Sequence, residues 1–519
     1  MKKYYKSVLC ALLIAILAAP GCQTKNTGET KNTSETTGNG GTAAAENTEV
    51  EASANTERVK LAILSQMGQG DFPEGSDENH NIFVDFLKEK TPYDFDFTFA
   101  ADDAAENALI ASGNKYDLIH IWNNTQYILN FQKEGYIAPL DDYLTDANYL
   151  KDPGQTPPEL WNMCRIDEKT YAIPQAWVDC YYGLAMRVDW LQKLGLTPPG
   201  NLDEFKSALQ AFRDKDPNGD GGNVIPLTEA DGLYSMLELF RSIWGIHADY
   251  LAMDGKVQYA YATPQGKDMI SYMADLYSNK LLDQEFATMT SEIVGQRLAT
   301  GQVGAVYLPW WTMKTWDNTM KETLGVTESP FWWVPLPNGP DGKKATLRLA
   351  GPVDHFWVLP KTGHVKEGVD FINRILDPAV NETLCFGFEN VHWKRDDAGK
   401  RYLTDEYNNI VWRWKYGDNL MFRMDFMAES ENLEYGDWRL PIQQWGGDIS
   451  TTCLIIPPVA GIEDAQANIG DYSGNELSKF IMGERPISEY DAYVSELKGL
   501  GLDDVLAGLQ KAYDQTKGK

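Results

Sequence analysis

The stretch Tyr171–Leu227, YAIPQAWVDCYYGLAMRVDWLQKLGLTPPGNLDEFKSALQAFRDKDPNGDGGNVIPL, decides the fold. A strand runs through Pro174 into an aromatic-rich crossing, and two short helices follow. In Asp203–Arg213 the apolar residues Phe205, Ala208, Leu209 and Phe212 recur at i, i+3, i+4 and i+7, which predicts one buried helix face. Asn201 is placed to cap this helix, and Glu204 stands three residues on, as in a capping box. Gly195 ends the preceding helix, Asp189–Leu194, where Trp190 shares a face with Leu194 and is read as core. Pro198 and Pro199 keep the linker between the helices extended. The loop beyond them sets Asp216, Asn218 and Asp220 at alternate positions, then Gly221 and Gly222. Oxygens at positions 1, 3 and 5, a glycine at 6 and a backbone carbonyl at 7 (here Gly222) can wrap a calcium ion. Leu227 stands at the twelfth position, where such loops carry a bidentate Glu, so a plain Asp/Asn/Gly turn is the other reading.

Taken together, several segments of this stretch resemble family 1 of the extracellular solute-binding proteins. They are Tyr171–Pro174, Met186–Leu196 (MRVDWLQKLGL), Leu202–Phe205, Asp216–Gly221 and Ile225–Leu227. The likeness is closest to the carbohydrate-importer lipoproteins of Gram-positive bacteria. It implies a two-lobe α/β fold of the periplasmic-binding type II class, with a ligand cleft between the lobes. It also implies a partnership with the permease subunits of an ATP-binding-cassette importer, and no catalysis. Family members commonly carry an acidic residue just before the Ile-Pro pair, where this chain has Asn223 and Val224.

Composition agrees with two lobes. A chain of 519 residues exceeds one compact domain, and 43% hydrophobic residues suffice for a large core. Sixteen Trp are more than a core usually requires. A net charge of −29 argues against nucleic acid or an anionic membrane surface as partner. At the N-terminus, Lys2, Lys3 and Lys6 precede the apolar run Val8–Ala19, which has signal-peptide length rather than spanning length. Ala19-Pro20-Gly21-Cys22 then resembles a lipobox, with Ala19 where Leu is usual, which makes Cys22 the lipidation site. An ordinary secretory signal with an incidental cysteine is the alternative. Residues 23–57 contain no aromatic residue and read as a disordered tether. One lipid anchor on such a spacer holds a domain at the outer face of the cytoplasmic membrane. Cys164, Cys180, Cys385 and Cys453 show no CxxC spacing, so zinc is not expected, and any disulfide cannot be paired from sequence.

Outward from the opening stretch, Val59–Leu64 and Tyr93–Ala100 read as strands, and Asn81–Lys90 as a helix. Asn107–Trp122 reads as helix, turn at Gly113 and strand, and strand–helix alternation implies a parallel sheet. Gly135–Leu144 reads as a turn leading into a short helix. Further helices are expected at Tyr234–Ile243, Gln265–Asn279 and Glu367–Leu376, and strands at Gly304–Leu308 and Asp354–Pro360. The resulting division is 58–175 plus about 336–385 for the first lobe, and 176–335 plus about 386–519 for the second.

A sugar site needs planar apolar platforms for ring faces and fixed donors and acceptors for hydroxyls. In open α/β lobes these gather at the carboxyl ends of strands. Trp122 and Asn123 occupy one such end, and Trp310 and Trp311 another, where Trp310 matches the Trp after Pro of the maltose-binding branch. Trp177, Asp179 and Tyr181 sit at the expected hinge. Asp354 and Trp393 complete the candidates, each weighed against an ordinary core role. The ligand expected is an oligosaccharide, bound by a monomer. No G-x-S-x-G or H-E-x-x-H motif is present, which leaves an enzyme without a hydrolase signature. A peptide or other small solute on the same fold, and a surface sugar sensor without transport, remain the rival readings.

Overall fold

The computed structural model describes residues 58–517 other than 67, 69, 114, 123, 220, 231 and 448–452. The expected signal peptide, the Cys22 anchor, the tether, Asn123 and Asp220 lie outside these residues. The main strands in chain order are β1 (Val59–Gln66), β2 (Tyr93–Ala100), β3 (Leu118–Trp122), β4 (Ala172–Ala176), β5 (Tyr182–Arg187), β6 (Ile225–Glu229), β7 (Val303–Pro309), β8 (Phe331–Val334) and β9 (Val353–Val358).

Two separate sheets form two lobes. The first has the order β2-β1-β3-β9-β4 and the second β8-β5-β7-β6. In the first sheet β1 runs parallel to β2 and β3, while β9 enters antiparallel between β3 and β4. Sequence explains the positions. Leu118–Ile121 is apolar apart from the fully buried His120 and takes a central place, buried on both faces. Tyr93–Phe99 alternates aromatic with polar residues, so β2 lies at an edge, with Asp94 and Asp96 paired to Arg58 and Lys60. Pro174, which cannot donate to a ladder, lies in β4 at the opposite edge.

The helix Leu202–Lys215 buries Phe205, Ala208, Leu209 and Phe212, as its periodicity predicts. Asn201 Oδ1 accepts from Glu204 N at 2.9 Å. Glu204 reaches back to Gly200 N at 2.8 Å rather than to the capping residue's own backbone N–H. Trp190 is core, edge-on to Phe212 and covered by the Arg187 guanidinium 4.4 Å from its ring centre. Gly135–Leu144 forms turns and no helix. Ala138 N and Leu140 N are spent on Leu359 O and Thr170 O, and Asp141 accepts from Thr170, which holds the segment extended.

Beyond Leu384 the chain behaves differently from the sequence reading, which places about 386–519 with the second lobe. Tyr407, Ile410, Trp412, Tyr416 and Leu420 join the core beneath the first sheet, where Tyr416 stacks on Phe83 and meets Phe97 edge-on, and Trp412 meets Phe83 edge-on. Ile469, Leu477, Phe480, Tyr493 and Val505 of the closing helices do pack with the second. Two crossings run side by side: Trp177 N donates to Pro352 O at 3.1 Å and Ala350 N to Asp179 O at 2.7 Å. They touch at Gly351, where a Cβ would stand 1.8 Å from Trp177 O and φ is +96°, so only glycine fits.

Candidate functional site

Both sheets deliver aromatic residues at strand ends. Trp122 closes β3, half-buried, and its indole N–H donates to Gln66 Oε1 at the end of β1. The Gln66 amide is locked in this sense because its nitrogen donates to Asp103 and, at 2.8 Å, to Glu106. Burial, opposed by the Gln66 bond and reinforced by Asp103, pushes the Glu106 carboxyl up to about 7. The Trp122 ring stands edge-on to His120 and His355, with centroids 4.7 and 6.1 Å away.

His355 leads to the hinge. Its Nε2 lies 2.9 Å from Leu420 O and its Nδ1 3.0 Å from Asp354 Oδ2. The carbonyl can only accept, so Nε2 donates to it. Asp354 Oδ1 accepts from the Tyr181 hydroxyl at 3.1 Å. Tyr181 in turn meets Trp311 edge-on at 5.3 Å. Trp122, Asp354, Tyr181 and Trp311 are thus joined by direct contacts from one sheet to the other. Trp310 and Trp311 begin the helix Trp310–Leu324. Trp311 is half-buried, whereas Trp310 is 3% exposed and packed between Trp311 and Tyr435.

Behind this line lies a second layer of buried charge. Arg439, on the helix Met424–Gln443, grips both oxygens of Asp179 at 3.1 and 3.0 Å, and its Nε lies 2.9 Å from Glu431 Oε2. Burial pushes Asp179 up to about 6 against the pull of Arg439. Burial and the charge of Asp179 push Glu431 well above the usual carboxylate range. Burial, with Asp354 alongside, takes Asp418 up to about 8. Trp177 packs edge-on to Phe422, 5.9 Å from the Arg439 guanidinium. Trp393 sits apart from the line: it is 1% exposed, covered by Arg401 and Arg395, and its N–H donates to Gly387 O at 2.9 Å.

Gln66, Glu106, Asp418, Glu431 and Arg439 escaped the sequence reading. Gln66 alone carried a signal, since it ends the first strand, where ligand groups gather. Glu431 and Arg439 sit in a helix whose apolar residues show no strong one-sided pattern, so nothing local marks them.

The 216–222 loop is separate from this line. Asp216 takes a left-handed conformation, φ 45°, and its Oδ2 accepts from Gly221 N at 3.0 Å. Its Oδ1 and Asn218 Oδ1 are both buried without hydrogen-bond partners. Two such oxygens in one turn fit a hard cation. Gly222 has φ +96°, as a loop wrapping inward requires. Among the described residues no three His, Cys, Asp or Glu side chains are grouped to hold a metal ion.

Two α/β lobes with aromatic strand ends meeting at side-by-side crossings define a class of binding proteins that enclose a ligand between lobes. Residues 70–382 match the family described as bacterial extracellular solute-binding protein, and the chain belongs to that family. Lipoprotein LipO of Bacillus subtilis is 22% identical over 498 residues, covering 92% of this chain and 96% of the relative. The polygalacturonan/rhamnogalacturonan-binding protein YtcQ of Bacillus subtilis is 25% identical, covering 83% of this chain and 88% of its own. The fructooligosaccharide ABC transporter substrate-binding protein FusA of Streptococcus pneumoniae is 24% identical, covering 85% and 88%. Among solved structures, the alginate-binding protein AlgQ2 without calcium ion superposes with a TM-score of 0.67 at 20% identity, covering 88% of this chain and 98% of that one. A FusA EF-hand mutant in complex with fructo-nystose gives 0.67 at 20% identity, covering 88% and 99%. No helix among the described residues is long and apolar enough to cross a membrane.

Proposed function

We propose that this chain captures a carbohydrate between its lobes and passes it to the permease subunits of an ATP-binding-cassette importer, without catalysis. The continuous line Trp122–His355–Asp354–Tyr181–Trp311 carries this reading. It combines ring faces for sugar C–H patches with a carboxylate fixed in orientation for hydroxyls. Asn123, next to Trp122 in sequence, stays a ligand candidate, while Asp179, Trp177 and Trp310 back the site from behind. Trp393, covered on its ring by two arginines, is assigned to packing. The first lobe then comprises 58–176, about 352–385 and the segment to about 422, while 177 to about 351 and the closing helices form the second. Leu336, Ala345 and Leu347, expected in the first lobe, pack into the second core. A lipidated Cys22 anchors the protein outside the cell, and the names of the relatives support both the ligand class and the anchor.

Calorimetric titration with an oligosaccharide panel tests the site. Trp122→Ala and Trp311→Ala each lose about five- to 150-fold in affinity, from about 1–3 kcal/mol per stacked ring, with melting temperatures kept. Trp393→Ala instead destabilises the fold by about 3–5 kcal/mol. Unchanged affinity in both of the first two variants would reject the site. We further propose that Asp216, Asn218, Asp220 and the Gly222 carbonyl hold a structural calcium ion, which raises the melting temperature by binding the folded state alone. Equal melting in calcium and in chelator would leave a plain turn.

A further inference from the structure

Beside the second sheet lies a cavity of about 300 Å³ that the aromatic line does not use. The helix Glu463–Met482 contributes one wall through Gly470 and Gly474. A Cβ built on either glycine meets nothing within 4 Å, so this wall is bare backbone facing open space. Across it stand Arg241, Arg348 and His247, with Tyr234 at the mouth, 53% exposed, and Tyr261 deeper in.

The polar groups here are unevenly matched. Arg241 is 5% exposed, yet the carboxylate it pairs with, Asp249, has a side chain 55% exposed, where water and salt screen the attraction. Arg348 Nη1 lies 3.3 Å from Glu238 Oε2 and donates to the Tyr234 hydroxyl at 3.4 Å. The Nε groups of both arginines have no hydrogen-bond partner, nor does His247 Nδ1. Burial, then the charges of Arg348 and Arg241, hold His247 down to about 4, so it stays neutral and adds no competing charge. Arg241 and Arg348 thus face one acid each, Asp249 and Glu238, and keep N–H donors that these acids do not take. Guanidinium forks match carboxylates in shape and charge, and burying them underpaired is costly. Packed side chains also link the cavity wall to the aromatic line. Trp311 meets Tyr182, Tyr182 stacks on Tyr307 at 5.5 Å, and the Tyr307 hydroxyl donates to Glu238 Oε1 at 3.3 Å beside Arg348.

We propose that this pocket takes one acidic sugar residue, a uronate, its carboxylate met by Arg241 and Arg348 and its ring by Tyr234 and Tyr261. The proposal rests on the carbohydrate reading above and narrows it to sugars carrying at least one carboxylate. Calorimetric titration of the full chain with di- and trisaccharides of galacturonate, glucuronate and mannuronate, each beside its neutral methyl ester, tests it. At least one acid binds ten-fold or more tighter than its ester. Arg348→Gln lowers that acid to the level of the ester. Gly474→Leu, which fills the pocket from a wall with room for it, weakens both, with the fold checked by thermal melting. If every ester equals or outbinds its acid, or if only sugars without a carboxylate bind, the pocket's assignment falls and the carbohydrate reading stands. If no sugar of any kind binds, both fall.

Discussion

Around Arg439 and Arg413, the carboxylates of Asp179, Glu431, Asp354 and Asp418 crowd within reach of one another's charge. Around Arg241 and Arg348 the count is even, two guanidinium groups to two acids, but the guanidinium groups keep unspent donors and one of the acids is largely in water. The two regions cannot satisfy their buried groups in the same way. A crowded carboxylate takes up a proton, and the raised values of Asp179, Asp418 and Glu431 describe that outcome. Arginine has no such recourse, because it does not give up its proton in a protein. The acidic region is therefore self-sufficient, and the basic one is completed from outside.

The largest test of this contrast removes the cation from the acidic region. Arg439→Leu leaves Asp179 and Glu431 buried without their partner and costs about 3–5 kcal/mol of stability near neutral pH. Urea denaturation at pH 5.5 shows a smaller loss, since the stranded acids then hold protons. A loss under about 1 kcal/mol at both pH values would mean the guanidinium is not what keeps the acids in place.

A smaller effect follows from pH alone. The folded-state values of Asp418, about 8, and Asp179, about 6, lie above the ordinary 3.8. Between those limits the native state binds more protons than the unfolded chain, so stability falls as pH rises from about 4 to 8. Asp418→Asn, which cannot ionise, flattens the upper part of this decline by a few degrees of melting temperature between pH 6 and 8. A variant whose melting curve keeps the full slope would place the titration elsewhere.

The smallest effect probes the basic region without touching charge. Gly474→Ala adds a methyl into open space on a helix and removes glycine's backbone freedom, so it stabilises by about 0.5–1 kcal/mol. Destabilisation would show that the wall is closed in solution.

Much of the frame was readable in the sequence because its causes are local. The face of Leu202–Lys215 follows from spacing, its start from Asn201 and Glu204, and the burial of Trp190 from its turn of helix. Trp122 and the pair Trp310 and Trp311 stand out as candidates because they lie at the ends of short apolar strands. Nothing local tells that Trp310, the member favoured by the resemblance, is the buried one of its pair. What stayed hidden depends on contacts far apart in the chain. Nothing near Arg439 announces Asp179, and nothing near Tyr416 announces Phe83 or Phe97. Gly135–Leu144 failed for the same reason, since the bonds that hold it extended come from Thr170 and Leu359.

The placement of Val353–Val358 between Leu118–Trp122 and Ala172–Ala176 has a kinetic consequence. The wedge strand emerges in synthesis after the whole second sheet, so the first sheet cannot close until most of the chain exists. Contacts of such long sequence separation make for slow folding, and in the meantime two apolar strand edges stand open to other chains. For a member of an extracellular family this lateness has a use. A polypeptide that cannot complete its first core early stays unfolded long enough to be threaded across a membrane, and acquires its final shape on the far side.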